Sequence, residues 1–217
     1  MLQVTDAAAF AAAFAVSRES LIAFETYERL LLRWQTVQDL IAPSTEDAIW
    51  NRHFADSAQL LALTPNARVW LDLGSGAGFP GLVIAILLRE VAGAKVHLVE
   101  SNARKCAFLA DVARATGAPV EIHNNRLESL IIPPEFKRFE VVTARALAPL
   151  GKLIGYAKPY FSTDTAGLFL KGRDAALEVE AAKKDWRFIS TLIPSRTDKD
   201  ARIVEVREIK ALKEGFP

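Results

Sequence analysis

Asp72, Gly74, Gly76 and Gly78 occupy every second position of Val69-Trp70-Leu71-Asp72-Leu73-Gly74-Ser75-Gly76-Ala77-Gly78-Phe79-Pro80-Gly81. An apolar run ending in an acid, a loop dense in glycine and the apolar stretch Leu82 to Leu88 spell strand, turn and buried helix. Doubly wound α/β sheets build nucleotide sites from that unit. Glycine lets the loop turn tightly and approach a ligand that a Cβ would push away. Asp72 suits a cofactor carrying a positive group. A second run, Lys95 to Val99, ends in Glu100. A carboxylate placed there can accept both hydroxyls of an adenosine ribose. Two cofactor classes fit this layout. Gly76-Ala77-Gly78-Phe79-Pro80-Gly81 matches the dinucleotide pattern G-x-G-x-x-G. In that register the first glycine lies beyond the strand end, and Pro80 lacks an N–H where pyrophosphate needs donors. The D-x-G-x-G-x-G spacing from Asp72 to Gly78 fits S-adenosylmethionine, which has no phosphate to cradle. The pattern favours the methyl donor.

In an open α/β sheet the ligand crevice lies beyond the carboxyl ends of the strands. The residues that follow each strand are therefore the candidates. Arg104, Lys105, Arg126, Arg145, Lys171 and Arg173 stand there against Glu100 and Glu128. A basic rim around a methyl-donor pocket points to nucleic acid. Arg145 is expected to orient cofactor and base. Arg104, Lys105, Lys171 and Arg173 are expected on phosphates, and Arg52, His53 and Arg126 are expected to bind RNA with them. The loop after the fourth strand, Thr143-Ala144-Arg145-Ala146-Leu147-Ala148-Pro149, lacks the Asp/Asn-Pro-Pro-aromatic turn that grips an exocyclic amine. It also lacks the cysteine that a cytosine-C5 methylase needs. What remains is a target atom already nucleophilic, such as guanine N7. Arg52-His53-Phe54-Ala55-Asp56-Ser57 holds His, Asp and Ser close together, but one helix cannot arrange them as a hydrolase relay. His53 and Asp56 share a helix face and are expected, with Arg52, as a surface patch at the mouth of the site.

These residues need elements to carry them. Residues 4–15, 18–38 and 45–63 read as helices, the second with Ser17 as N-cap. Strands are expected at 69–73, 95–100, 119–123, 139–144 and 166–171, with helices near 80–92, 102–117, 149–158 and 173–184. Such alternation implies right-handed crossovers and a parallel sheet. Trp186 to Ile193 and Ala201 to Ile209 then form a hairpin. Seven strands closing in an antiparallel pair make a class I S-adenosylmethionine methyltransferase fold, Rossmann-like and mostly parallel. An N-terminal helical cap (1–65) precedes the methyltransferase domain (66–217).

Bulk properties narrow the choice. The 217 residues are half hydrophobic and a quarter charged, as in an ordinary globule. No apolar run reaches the roughly 18 residues of a membrane span. One cysteine, Cys106, and three scattered histidines argue against disulfides and metal chemistry, and place the protein in the cytoplasm. Cys106 reads as core. The net charge of +1 is unevenly spread. Residues 1–101 hold 7 basic and 11 acidic side chains, and residues 102–173 hold 11 and 6. The positive excess thus lies in the half that supplies the later loops, as a polyanionic substrate requires.

Several blocks resemble one family. They are Arg33-Trp34-Gln35, Arg52-His53-Phe54-Ala55-Asp56-Ser57, the glycine loop to Gly81, Val99-Glu100-Ser101, Arg104-Lys105, Asn125-Arg126-Leu127-Glu128, Thr143-Ala144-Arg145-Ala146 and Leu170-Lys171-Gly172. Together they resemble the bacterial small-subunit ribosomal RNA methyltransferases that modify guanine at N7, the RsmG or GidB family. The combination is specific where no single block is. The resemblance implies S-adenosylmethionine contacts at Gly74, Phe79, Leu127, Glu128 and Arg145, with Glu100 at the ribose. It implies methylation of guanine 527 in the 16S rRNA loop near the decoding centre. The partner would be 16S rRNA or the small ribosomal subunit, met by a monomer. Asp39-Leu40-Ile41 stands where the family often carries Asn-Leu-Thr. Two other classes compete. A dinucleotide oxidoreductase is disfavoured by the terminal hairpin and the register of Asp72. A catalytically idle rRNA-binding assembly factor is disfavoured by the complete cofactor loop.

Overall fold

A computed structural model of the chain describes residues 1–131 and 138–212. Seven strands form one sheet: β1 (Val69–Leu73), β2 (Lys95–Val99), β3 (Val120–His123), β4 (Val141–Arg145), β5 (Ala166–Lys171), β6 (Trp186–Pro194) and β7 (Arg202–Ala211). Their spatial order is β3-β2-β1-β4-β5-β7-β6. The first five run parallel, and β7 pairs antiparallel with both β5 and β6. The order reverses between β1 and β4, so the ends of those two strands flank the switch point at which such sheets bind ligands.

Both faces of the sheet are covered, which is why β1 reads as an almost unbroken apolar run. Alternation along β1 divides it. Trp70 joins a core with the N-terminal helices α1 (Ala7–Phe14) and α2 (Arg18–Gln35), together with α4 (Gly81–Leu87) and α5 (Ala103–Thr116). Leu71 and Leu73 face a second core with α6 (Leu150–Ala157) and α7 (Ala175–Ala182). Asp72 stands on the first face and is 1% exposed. The N-terminal helices share this core with the sheet. Phe10, Phe24 and Phe54 are fully buried there, with the Phe10 and Phe24 rings edge to face at 4.8 Å. Trp34 ties α2 to α5 through Nε1–H donating to Asp111 at 3.1 Å.

Local chemistry sets the helix ends. Ser17 caps α2 as expected, its hydroxyl oxygen accepting from the Ser20 amide. Asp6 caps α1 and so delays its start to Ala7. Val4 instead donates its amide to Asn51. The helix expected at 45–63 is not regular. It is a chain of short turns: 3₁₀ at Pro43–Ala48, π at Trp50–Ala55, α3 at Asp56–Ala58 and 3₁₀ again at Gln59–Leu63. The π turn buries His53, Phe54 and Ala55 together. This corrects the surface patch expected at His53, which is 7% exposed. Among the described residues no helix is long and apolar enough to cross a membrane.

Candidate active site

The loop after β1 is pinned from below. The Ser75 amide donates to Val99 O at 2.9 Å, and Gly76 N–H donates to the Glu100 carboxylate at 3.0 Å. The other Glu100 oxygen accepts from the Asn102 amide at 2.7 Å. Gly74 and Gly76 adopt φ of +68° and +55°, which glycine takes without penalty. A cavity of about 510 Å³ opens above this loop. Of the residues expected to hold cofactor, Gly74, Gly76, Phe79, Glu100, Leu127, Glu128 and Arg145 line it.

Two expected contacts are corrected. Asp72 lies beneath the floor, its carboxylate accepting from Thr143 Oγ1 at 3.0 Å and the Gly81 amide at 3.2 Å. Burial pushes its pKa up to about 6. Asp72 therefore braces the loop and the start of α4 and is closed off from any ligand. Gly78 is a packing glycine. A Cβ there would lie 2.5 Å from the Tyr27 hydroxyl and 2.6 Å from Leu82. Three lining residues escaped the sequence reading: Leu40, Lys152 and Tyr156. Tyr156 donates to Glu128 at 2.7 Å, and its ring lies 5.5 Å from the Lys152 ammonium. Lys152 and Tyr156 sit four apart on the helix after β4, a spacing that could have flagged them.

A second cavity, about 680 Å³, adjoins the first. Arg145, Ala146, Leu147 and Ala148 line both. Arg52, His53 and Lys171 line the second only, and Lys105 and Arg126 the first only. Arg104 and Arg173 are exposed and line neither; Arg173 lies 3.9 Å from Asp200. Arg52 is ion-paired with Asp198. Lys171 departs most from expectation. Its ammonium is tied to Glu178 at 2.7 Å and to Ala148 O at 2.5 Å, with 9% of the side chain exposed. Two of its three N–H donors are thus engaged inside the protein, and the side chain is held back from the surface.

Arg145 is the hub between the cavities. Its guanidinium donates to Arg52 O at 3.0 Å and to His53 Nδ1 at 2.9 Å, and lies 3.9 Å from Asp56. It also sits 4.8 Å over the Phe79 ring, against which Tyr27 and His53 are stacked. Burial, then the Arg145 and Arg52 charges, pull the His53 pKa down to about 3. His53 is therefore neutral. Because Arg145 can only donate, Nδ1 must accept, and Nε2 carries the proton toward Thr45 Oγ1 at 2.9 Å. Asp56 also accepts from Gln59 and Thr197. The block read as a mouth patch is the socket for Arg145.

The histidines far apart in sequence are partly gathered. His97, Glu121 and His123 bring ligand atoms within 4.8 Å of one another. The imidazoles are parallel within 10°, with centroids 5.2 Å apart and Nδ1 to Nε2 at 2.9 Å. They lie end to end, so the lone pairs run along a hydrogen bond and do not converge on a shared ion.

These groups predict a pH dependence. Burial, first among its causes, lowers the His97 pKa to about 4, with the Lys95 and His123 charges adding and Glu121 opposing. His97 and His53 titrate near 6.5 when unfolded. Below that pH the unfolded chain takes up protons that the folded one refuses, so their stability contribution is lost as pH falls toward 4. Asp72 has the opposite sign and gains stability as pH falls from 6 to 3.8. His123 is lowered and Asp56 raised, both mainly by burial, and these oppose each other. A net single proton gives a loss of about 1.4 kcal/mol per pH unit. Urea unfolding from pH 7 down to 4.5 should show that slope, and His97→Gln should flatten it. A wild-type midpoint constant over this range would contradict the assignment.

The family described as GidB, rRNA small subunit methyltransferase G, matches residues 20–203. The chain belongs to this family. It is 52% identical over 194 residues to a ribosomal RNA small subunit methyltransferase G of Methylorubrum extorquens, covering 89% of this chain and 91% of that one. It is 45% identical over 210 residues to the same-named protein of Caulobacter vibrioides, covering 97% and 95%. Among solved structures, the O-methyltransferase TomG of Streptomyces achromogenes, in complex with SAM, superposes with TM-score 0.58 at 15% identity, over 85% of this chain and 89% of that one. An O-methyltransferase of Bacillus cereus in complex with SAH gives 0.56 at 12%, over 84% and 91%. The fold is that of class I S-adenosylmethionine methyltransferases, and the protein is an rRNA methyltransferase with that cofactor.

Proposed function

We propose that this protein transfers the methyl group of S-adenosylmethionine to N7 of a guanine in 16S rRNA, guanine 527 by family resemblance, acting as a cytoplasmic monomer. The observation that carries the reading is the pair of adjoining cavities with a shared wall at Arg145–Ala148. One cavity suits the cofactor, with Glu100 placed for ribose hydroxyls and Phe79 and Leu127 as apolar walls. The cofactor supplies an activated methyl. The second cavity suits the base. Its described lining holds no cysteine, and its carboxylates Asp56, Glu178 and Asp198 are each tied to a cation or hydrogen-bond donors. Guanine N7 has a lone pair and no proton, so it needs neither nucleophile nor base. Positioning alone can supply roughly 7–11 kcal/mol. N7 of paired RNA lies in a groove that side chains cannot enter, so the base must be unpaired or splayed.

The test is methyl transfer to small subunits and to naked 16S rRNA, followed by nuclease digestion and mass spectrometry. The expected product is 7-methylguanosine at one site. Methyl groups on adenine N6, cytosine C5 or a guanine amine would overturn the reading, as would a wild-type protein that binds RNA and transfers nothing. Lys105 and Arg126 at the first cavity, with the exposed Arg104 and Arg173, remain the phosphate contacts of this reading. Charge reversal at Lys105 and Arg173 should lower the salt dependence of RNA affinity by about 0.7 log units per lost single-strand contact. An unchanged slope would move the RNA track elsewhere.

A further inference from the structure

We propose that the Lys171–Glu178 ion pair positions the loop between the two cavities for methyl transfer. The proposal rests on the methyltransferase reading above and assigns a role to two residues that touch neither cofactor nor phosphate in it. The loop runs from Arg145 at the end of β4 to Leu150 at the start of α6. Its first end is held to the N-terminal segment through the Arg145 guanidinium. Its second end is held by the pair. Lys171 Nζ, from the end of β5, donates to Ala148 O at 2.5 Å. Glu178 Oε2, from α7, accepts from the Leu150 amide at 2.7 Å and from Lys171 Nζ at 2.7 Å.

The segment between these anchors needs holding. Ala146 adopts φ +52°, a left-handed conformation that a residue with a Cβ takes only when its surroundings impose it. Leu147 packs so closely on Gly74 that a Cβ there would meet its Cδ1 at 2.6 Å. Ala146, Leu147 and Ala148 thus form the wall that separates cofactor space from base space. Any slack in that wall changes the distance and angle between the reacting groups. A misplacement of about 1 Å can cost roughly 100-fold in rate. The pair is also well placed to resist slack, with side chains 9% and 28% exposed. Lys171 in this setting is a positioning residue.

The test compares Lys171→Met and Glu178→Gln with wild type on small subunits. Lys171→Met should lower kcat about tenfold or more and leave both KM values within about threefold. Calorimetric affinity for S-adenosylhomocysteine should hold. The salt slope of RNA binding should be unchanged, because no phosphate contact is lost. Glu178→Gln keeps an oxygen for Leu150 N–H and Lys171, so it should retain more activity than Lys171→Met. Hydrogen exchange at the Leu147, Ala148 and Leu150 amides should quicken in Lys171→Met without a change in the sheet. A normal kcat would overturn the proposal. So would a fall in salt slope, which would return Lys171 to the phosphates, or slow exchange at those amides. If Lys171→Met does not fold, Glu178→Ala, which removes the acceptor of both Leu150 N–H and Lys171, carries the same readouts. Failure of wild type to methylate RNA counts against the function, whereas a wild-type ratio of one counts against the pair alone.

Discussion

Arg145→Ala should abolish methyl transfer and also cost about 3 kcal/mol of folding stability. From the sequence alone, Arg145 has no acid nearby, and the expected variant is inactive but nearly as stable as wild type. The structure supplies the missing acid. Asp56, 89 positions earlier in the chain, lies 3.9 Å away, and the two side chains are 17% and 19% exposed. Removing one member of a shielded pair leaves the other charge uncompensated, which is the costly way to break it. Two further acceptors, Arg52 O and His53 Nδ1, would lose their donor. A lone guanidinium also leaves the Phe79 ring. Arg145→Lys can keep a charge near Asp56 but not the fork that reaches His53 and Arg52 together. It should recover most of the stability and little of the rate. Urea unfolding and single-turnover methylation of both variants separate the two losses. An alanine variant as stable as wild type would remove the socket from the account. A lysine variant with full rate would remove the fork.

The sheet was readable because its signals are local. Short runs of four to six residues carrying branched apolar side chains mark β1 to β5, and the polar link from Ser195 to Asp200 marks the hairpin. The strand order then follows from few choices, since crossovers are right-handed and short. Ser17 announces its helix by the same short-range logic, its side chain accepting from the amide three residues on. The irregular segment at 43–63 was not readable. Its apolar residues have helical spacing, but packing against α2 and α4 imposes π and 3₁₀ turns that no propensity specifies.

The site divides along the same line. Residues that touch the ligand cavity through the backbone, such as Gly74 and Gly76, follow from the pattern of glycines. Residues defined by a distant partner do not. Asp72 looked like a ligand group and is a brace for Thr143 and Gly81, because alternation along β1 turns it toward the helix-covered face. Lys171 looked like a phosphate contact and closes on Glu178, seven residues further on. His53 looked superficial and completes the socket of an arginine 92 positions away. In each case the side chain's type was evident and its partner was not. A cation at a strand end is a candidate for substrate only when no fixed anion reaches it first.

Glu100→Ala should be the most damaging change for cofactor affinity. Its carboxylate lines the first cavity and, among the described residues, accepts only backbone N–H groups, Gly76 on one oxygen and Asn102 on the other. Each oxygen keeps a further lone pair, so two ribose hydroxyls can be met without displacing either amide. Hydrogen bonds to a charged group contribute about 1.5–3 kcal/mol each. Losing them should weaken S-adenosylhomocysteine binding by roughly 100-fold or more, at 1.4 kcal/mol per factor of ten. The alanine also frees the Gly76 amide, so the glycine loop loses the tie that holds its mouth to β2. Glu100→Gln keeps one oxygen but sets an NH₂ against an N–H donor, and should fall between wild type and alanine. RNA affinity should stay at the wild-type level, since Lys105 and Arg126 are untouched. Calorimetry of the folded variants reads the first effect and filter binding the second. Cofactor affinity within about threefold of wild type in the alanine variant would take the ribose away from Glu100, and with it the register that made Asp72 to Gly78 a methyl-donor loop.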